Sequence, residues 1–239
     1  IQLENFTITV SIDYDEEKRA ASWARYMLEM ADAFLTQAEI YLESIFQFQD
    51  GFVITCCEVC GSMGPYEVFI DYSESSALLF HELGHFWFGY SEGHVQERWL
   101  VEGIVSFLPI AMRSSDILEL SQDEYRGIWD AWLFRQVIEP EDDQPLSREA
   151  IFSKDEIIRY EHRYSKSFKV QYLIFQELGS PGYREFLQRL LREKPQNNEA
   201  VLDLLAGIKP VDWKAFLTGW VFEGDYYFHG MSSFFDSDA

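Results

Sequence analysis

Hydrophobic and polar residues alternate with two different periods along the first part of the chain. Between residues 3 and 12 the apolar positions recur mostly at every second residue, which predicts a β-strand. From Glu16 to about Phe46 they recur at helical spacing, which predicts one long amphipathic helix. Short apolar runs at 52–56 and 68–70 predict two further strands. The apolar face of the long helix is expected to carry Trp23, Met27, Met30, Phe34 and Ala38.

After this region the chain shows helical patterns alone. Ser121-x-x-Glu124 and Ser153-x-x-Glu156 are capping-box signals, so a helix is predicted to begin after each serine. Pro181-Gly182 is predicted to end the second of these helices, because proline and glycine interrupt helical runs. An acidic, proline-punctuated loop separates the two. Shorter helices are predicted at 182–193, 198–206 and 211–222.

These patterns indicate an α+β protein with an N-terminal mixed α/β lobe followed by an all-helical C-terminal lobe. The α/β lobe is expected at 1–115 and the helical lobe at 116–225. Residues 226–239 form a tail that is either partly disordered or leads into another domain. The boundary between the lobes is expected near 113–121, with a cleft between them, where ligand sites are often found.

Charge and cysteine content narrow the class of protein. The net charge of −22 argues against a nucleic-acid partner, because a phosphate backbone would be repelled. No run of about eighteen apolar residues occurs, so no membrane span is expected. The three cysteines, Cys56, Cys57 and Cys60, are odd in number and tightly spaced, which does not suit a disulfide framework. Buried thiols are the simpler interpretation, and they lean towards a reducing, cytoplasmic compartment.

The chemistry of the chain is concentrated in His81-Glu82-Leu83-Gly84-His85, an HExxH motif. Two histidines at i and i+4 lie on one helix face, so both imidazoles can reach one metal ion. Glu82 projects nearby and can deprotonate a water held by that ion. Glu102, on a second helix after a turn-rich connection, can complete the protein ligands. Two histidines and one glutamate, with a fourth position for water, are typical of catalytic zinc.

Other ligand schemes fit this part of the chain less well. The pattern HExxHxxGxxH would need glycine at 88 and histidine at 91, where Phe88 and Ser91 stand. His94 is a possible ligand in the turn-rich connection, while Glu92 and Glu97 are explained more simply as solvated residues. The sequence therefore predicts one Zn²⁺ held by His81, His85 and Glu102.

At these residues the chain resembles the aminopeptidase-N-like family of gluzincins, whose motifs read HExxHxWFGN and WLNEG. Here residues 81–89 read HELGHFWFG and residues 99–103 read WLVEG, with a connection two residues shorter and valine in place of asparagine. The family's Tyr-x-Lys-Gly segment is similar to Tyr164-Ser165-Lys166-Ser167, with serine in place of glycine. This resemblance implies that Tyr164 donates to the oxyanion of the reaction. Tyr160, one turn earlier, is the alternative.

The family's Gly-x-Met-Glu-Asn strand, which lies beside the substrate backbone, resembles Gly61-Ser62-Met63 followed by Gly64. This implies substrate binding by Gly61, Ser62 and Met63. The family's glutamate that grips a free amino terminus is replaced by Gly64. Glu67 can supply a replacement carboxylate, although Glu67 and Asp71 are equally suitable as solvent-facing strand residues.

The resemblance implies a thermolysin-like zinc metallopeptidase that acts on peptide or protein substrates in the manner of an aminopeptidase. Glu82 would serve as general base and pass its proton to the leaving amine. Three alternatives stay open: an endopeptidase with the same site, another zinc hydrolase reaction, and a non-catalytic binding module on the same scaffold. Ser106, one turn after Glu102, either hydrogen-bonds a ligand histidine or is an ordinary helix serine.

Overall fold

The computed structural model describes residues 8–12, 17–45, 52–57, 61–63, 67–71, 76–89, 97–133 and 156–222. These residues are mostly helical and include one small sheet. The strands are β1 (Ile8–Ile12), β2 (Phe52–Cys57), β3 (Gly61–Met63) and β4 (Glu67–Asp71). The helices are α1 (Glu17–Leu42), α2 (Ser76–Gly84), α3 (Arg98–Arg113), α4 (Gln122–Leu133), α5 (Glu156–Glu193), α6 (Asn198–Ile208) and α7 (Trp213–Leu217), and a π-helical turn follows at Thr218–Phe222.

The four strands form a mixed sheet in the order β1-β2-β4-β3. β1 and β2 are parallel, as are β2 and β4, whereas β3 runs antiparallel to β4 at one edge. The parallel pairing of β1 with β2 requires a crossover connection, which α1 provides. The hydrophobic pattern did not predict β3, because three residues are too few to display a strand period, whereas the resemblance implied a strand at Gly61-Ser62-Met63. Within the described residues, strands occur only before residue 72, as the pattern predicts.

Helix α1 packs its predicted apolar face against the core. Met27, Phe34 and Ala38 are fully buried, and the ring of Phe34 stacks on Phe80 of α2 at a centroid distance of 4.9 Å. The last turn of α1 contains no basic residue, so its terminal carbonyls are satisfied from α5. Arg184 donates to the carbonyl oxygens of Tyr41 and Ile40 at 2.9 Å each. This contact anchors the crossover helix α1 on the long helix α5.

The predicted capping box at the start of α4 is present. The Ser121 hydroxyl accepts from the Glu124 amide, and the Glu124 carboxylate accepts from the Ser121 amide at 2.8 Å. The predicted break of α5 at Pro181-Gly182 is wrong in position, because the kink lies at Gly179, which has φ 70° and ψ 168°. Gly179 can adopt this positive φ, and Pro181 then fits the first turn of the following segment, where no amide hydrogen bond is needed.

Helices α3 and α5 pack closely because Gly103 has no side chain. A Cβ atom at Gly103 would lie 2.6 Å from the backbone oxygen of Ser167. This approach brings the helix that carries Glu102 against the helix that carries Tyr164. No helix in the described ranges is long and apolar enough to cross a membrane. Several predictions fall outside the described residues, namely Glu92, His94, Cys60, the Ser153 cap, the acidic loop and the tail at 226–239.

Candidate metal centre

Helix α2 buries the HExxH motif because its other side chains are apolar. Leu79, Phe80 and Leu83 are completely buried and join the hydrophobic core. In this setting His81 and His85 are only 3% and 6% exposed. His85 is the first residue after α2, and the chain continues there as tight turns through Gly89. The histidines are therefore presented from a rigid, water-poor wall of the protein.

Helix α3 runs antiparallel to α2 and brings Glu102 to the two histidines. His81 contacts Ser106, Gly84 contacts Val105, and Gly89, just after α2, contacts Val101. Residues later in the first segment thus contact residues earlier in α3, which is the pattern of antiparallel packing. Gly84 allows this approach, since a Cβ atom there would stand 3.0 Å from the Cβ of Val105. This is the helix arrangement that the motif spacing predicts.

Three ligand atoms converge in this arrangement. Glu102 Oε2 lies 3.3 Å from His81 Nε2 and 3.4 Å from His85 Nε2. Within the described residues, His81, His85 and Glu102 are the group of side chains whose ligand atoms lie close enough together, all within 4.8 Å, to hold a metal ion. Glu102 Oε2 is buried and has no hydrogen-bond partner among the residues that the structure describes. A buried carboxylate oxygen without a partner is unfavourable unless a cation neutralises it.

Hydrogen bonds at Nδ1, the ring nitrogen that faces away from Glu102, set the tautomers of both histidines. The Phe88 carbonyl can only accept, so His85 Nδ1 carries the proton of their 3.0 Å hydrogen bond. The Ser106 hydroxyl donates its single proton to the Glu102 carbonyl at 2.7 Å, so it accepts from His81 Nδ1 at 2.9 Å. In the neutral imidazoles both Nε2 atoms are therefore lone pairs that face Glu102 Oε2, which is how zinc-binding histidines are usually oriented.

The electrostatics of the group favour a cation at the same point. Burial tends to raise the pKa of Glu102, but hydrogen bonds and positive charge from the two imidazoles hold that pKa far below its usual range, so the carboxylate stays ionised. Burial lowers the pKa of His85, yet the adjacent Glu102 more than offsets this and raises it, so positive charge is stabilised at the place that a metal ion would take, and metal binding would release the proton that supplies it. Burial raises the pKa of Glu82 above its ordinary value, although His81 and His85 act in the opposite direction.

These residues fit Zn²⁺. The set contains two imidazole nitrogens and one carboxylate oxygen, all deprotonated and pointing to one place, which matches catalytic zinc sites that keep a further position open. The orphaned Glu102 oxygen is the atom that such an ion would satisfy. The interpretation of Ser106 as a hydrogen-bond partner of a ligand histidine agrees with the geometry.

Tyr164 lies beside the metal-ligand group. Its ring centroid is 5.5 Å from that of His81, and its side chain is partly buried. Tyr164 is carried by α5, so three different helices contribute side chains to this region. The side chain of Tyr160, the alternative, lies outside the described residues.

The residues proposed for substrate binding occupy the sheet. Gly61, Ser62 and Met63 form the edge strand β3, which contacts α2. Glu67 lies on β4, where its carboxylate accepts a short hydrogen bond from the hydroxyl of Thr55 on β2. This bond gives Glu67 a role within the sheet. Glu97 directly precedes α3 and is not in the metal-ligand group.

Two contributors to the site were not identified from the sequence. Trp132 of α4 stacks on the His81 ring with centroids 4.7 Å apart. The carbonyl of Phe88 orients His85. The second could have been anticipated from the glycine that follows Phe88, because Gly89 adopts φ 119° and so turns the backbone back onto His85. Nothing in the local sequence links α4 to the motif.

No protein-family model matches this chain, and no curated protein matches it. Solved structures do. An M1 zinc metallopeptidase from Deinococcus radiodurans matches with a TM-score of 0.58 and 17% identity, over 95% of this chain and 51% of that one. A variant from the same organism, bound to a Tyr-Ser-Ala substrate, matches with a TM-score of 0.56 and 17% identity, over 95% and 50% of the chains.

A variant of a two-domain M1 zinc metallopeptidase bound to L-tryptophan gives a TM-score of 0.55 and 16% identity, over 95% and 51% of the chains. The chain thus spans about half the length of each of these neighbours. The fold of the chain is similar to the portion of these M1 zinc metallopeptidases that it covers.

Proposed function

We propose that the chain is a zinc metallopeptidase whose metal ligands are His81, His85 and Glu102. The observation that carries this proposal is the convergence of two oriented Nε2 lone pairs on the unpartnered Glu102 Oε2. The M1 zinc metallopeptidases with a similar fold support the same class of reaction. A division into lobes at 1–115 and 116–225, with the site between them, belongs to this proposal.

Glu82 is the general base of the proposed reaction. Bound zinc supplies Lewis acidity, which polarises the scissile carbonyl and acidifies a water at the site. Glu82 is 4% exposed, and burial raises its pKa, which suits a group that must take up a proton and release it again. It accepts a proton as the water oxygen bonds to the carbonyl carbon. It then delivers that proton to the amine as the carbon–nitrogen bond breaks.

Tyr164 is the proposed oxyanion donor. Its ring stands next to His81, and its side chain is partly buried at the wall of the candidate metal centre. A hydrogen bond donated by the phenol to the developing oxyanion strengthens as negative charge builds up on that oxygen. Tyr164 therefore acts in the transition state more than in the bound substrate.

The substrate backbone is proposed to lie along β3. Among the described strands β3 pairs with β4 alone, and it contacts α2, so an extended peptide added to its other edge would run beside the helix that carries His81. Gly61, Ser62 and Met63 would contact the peptide. Glu67 is the candidate carboxylate for a free amino terminus, although its hydrogen bond with Thr55 competes with that task.

We propose aminopeptidase-like action, with endopeptidase action as the second candidate. The observation that favours the second is Gly64, which stands where the resembling family has the glutamate that grips the amino terminus. Without that carboxylate, the site lacks the group that would bind a free amino terminus and so hold the first residue of a peptide at the metal. A binding module without turnover is the third possibility, and the experiment below separates all three.

The test is incubation of the zinc-loaded chain with a mixed peptide library, followed by mass spectrometry of the products. Wild-type protein should trim peptides, and Glu82→Gln should retain zinc but lose turnover by at least about 10²-fold, the usual contribution of a general base. Glu119→Gln, an exposed carboxylate on the segment after α3, is the matched control and should cut normally.

Stepwise loss of residues from the amino terminus supports an aminopeptidase, and internal cuts support an endopeptidase. Zinc binding without any product would overturn the assignment as a peptidase. Normal turnover by Glu82→Gln would remove Glu82 from the mechanism while leaving the metal centre in place.

A further inference from the structure

The imidazole of His81 is enclosed by more than the hydrogen bond to Ser106. The indole of Trp132 stacks on it with a centroid distance of 4.7 Å and an interplanar angle of 29°. The ring of His85 meets it edge-on at 4.9 Å and 90°. Ser106 thus fixes the direction of Nδ1, while Trp132 opposes rotation of the ring out of its plane. Both constraints aim His81 Nε2 at Glu102.

Trp132 also contacts the candidate oxyanion donor. Its ring lies 6.0 Å from that of Tyr164 with an interplanar angle of 31°, so the two rings are tilted against each other. His81, Trp132 and Tyr164 therefore form a cluster of three rings contributed by α2, α4 and α5. Trp132 is the member of this cluster to which neither the metal nor the reaction assigns a role.

The indole nitrogen indicates which property of Trp132 matters. Trp132 is 7% exposed, and its Nε1 is buried without a hydrogen-bond partner in the described part of the chain. A buried N–H without an acceptor lowers stability, so a smaller apolar ring would fill this place at less cost. The side chain does not contribute a hydrogen bond, so its contribution is the broad aromatic face that covers His81 and reaches Tyr164.

We propose that Trp132 is a positioning residue of the metal centre. Its face holds the His81 ring in the metal-binding orientation and sets the separation between that ligand and the Tyr164 phenol. The inference rests on the proposed function, because it assumes that His81 binds zinc. It goes further because it gives α4 a role in the site, although α4 supplies none of the three candidate ligands. Through Trp132, α4 would position His81 and Tyr164, which lie on other helices.

Trp129, one turn earlier on α4, provides a matched control. It is similarly buried at 8% exposure and stacks edge-on against Phe168 and Tyr172, at 5.2 Å and 5.3 Å. Removing either indole should lower stability through a comparable cavity. Trp132 differs because its neighbours include His81, so effects on metal binding distinguish the two positions.

The first measurement is zinc affinity by competition with a chromophoric chelator, on folded protein at low temperature. Trp132→Ala should weaken zinc binding by about 10- to 100-fold, the usual effect of removing a group that orients a ligand. Trp129→Ala should bind zinc as the wild type does. Trp132→Phe retains an aromatic face and should restore most of the affinity. Equal affinities in wild type and Trp132→Ala would overturn the inference.

The second measurement is tryptophan fluorescence during titration with Zn²⁺ and with Co²⁺, a paramagnetic quencher. The metal-dependent change should be reduced in Trp132→Phe and retained in full in Trp129→Phe, because the first indole stacks on the candidate metal ligand His81. Retention of the full change in Trp132→Phe would contradict the stacking. A wild-type chain that binds no metal would refute the metal centre itself, which is a distinguishable failure.

Discussion

Replacing Gly89 with alanine tests how the chain orients His85. Gly89 has φ 119°, a conformation that side chains rarely allow. An added Cβ would also lie 2.9 Å from Cγ1 of Val101 and 3.1 Å from Nδ1 of His85. The same Nδ1 donates to the Phe88 carbonyl at 3.0 Å. The new methyl group therefore strains the turn and pushes directly on the hydrogen bond that fixes the His85 tautomer.

The expected magnitude has two parts. A non-glycine residue held at such a φ costs on the order of 1–3 kcal/mol of unfolding free energy, with or without metal. Displacement of the Phe88 carbonyl from His85 should also weaken zinc binding by about 10- to 100-fold. A bound ligand stabilises the folded chain in proportion to the logarithm of its affinity. The loss of unfolding free energy caused by Gly89→Ala, relative to wild type, should therefore be larger with saturating zinc than with chelator.

The assay is urea unfolding of wild type and variant, once with excess chelator and once with saturating zinc. Gly127→Ala is the control, because a Cβ there meets nothing within 4 Å and Gly127 lies inside α4. It should stabilise the chain by about 0.5–1 kcal/mol, equally in both conditions. If Gly89→Ala unfolds and binds zinc like the wild type, the explanation of how His85 is oriented is wrong.

Two further predictions concern stability away from the ligands. Ser167→Ala should raise the free energy of unfolding by about 1 kcal/mol, because the Ser167 hydroxyl is buried without a hydrogen-bond partner, and a loss measured by urea unfolding would contradict this. Glu124→Gln should destabilise the chain near neutral pH: burial tends to raise the pKa of Glu124, but its hydrogen bonds with Ser121 lower it overall. A carboxylate whose pKa is lowered by folding stabilises the folded chain at pH values above the ordinary glutamate pKa, and this stabilisation is lost on acidification. The difference in unfolding free energy between wild type and Glu124→Gln should therefore shrink below about pH 4. An advantage that persists unchanged at lower pH would contradict the capping interpretation.

The grouping of the candidate ligands was predictable because it depends on local rules. An i, i+4 spacing on a buried helix puts His81 and His85 on one face, and a turn-rich connection lets the next helix return beside it. The resemblance of residues 99–103 to the WLNEG motif then selects Glu102, and Ser106 follows it by one helical turn. The apolar face of α1 was predictable for the same reason, since its buried positions recur at helical spacing.

Features created by long-range contacts were not predictable in the same way. β3 is three residues long and is defined by its pairing with β4 rather than by its own composition. The kink in α5 was assigned to Pro181, although a proline in the first turn of a helix is tolerated and Gly179 makes the bend. Trp132 shows an ordinary amphipathic spacing in α4, and its contact with His81 depends on how α4 meets α2.

The central claim is tested most directly by the zinc content of the purified chain, measured by atomic emission after metal removal, zinc addition and dialysis. Wild-type protein should retain about one zinc ion per chain. Glu102→Gln should retain far less, because it removes the charge at the point where both Nε2 atoms converge. Wild-type protein without zinc, or equal retention by wild type and variant, would contradict a metal centre at His81, His85 and Glu102.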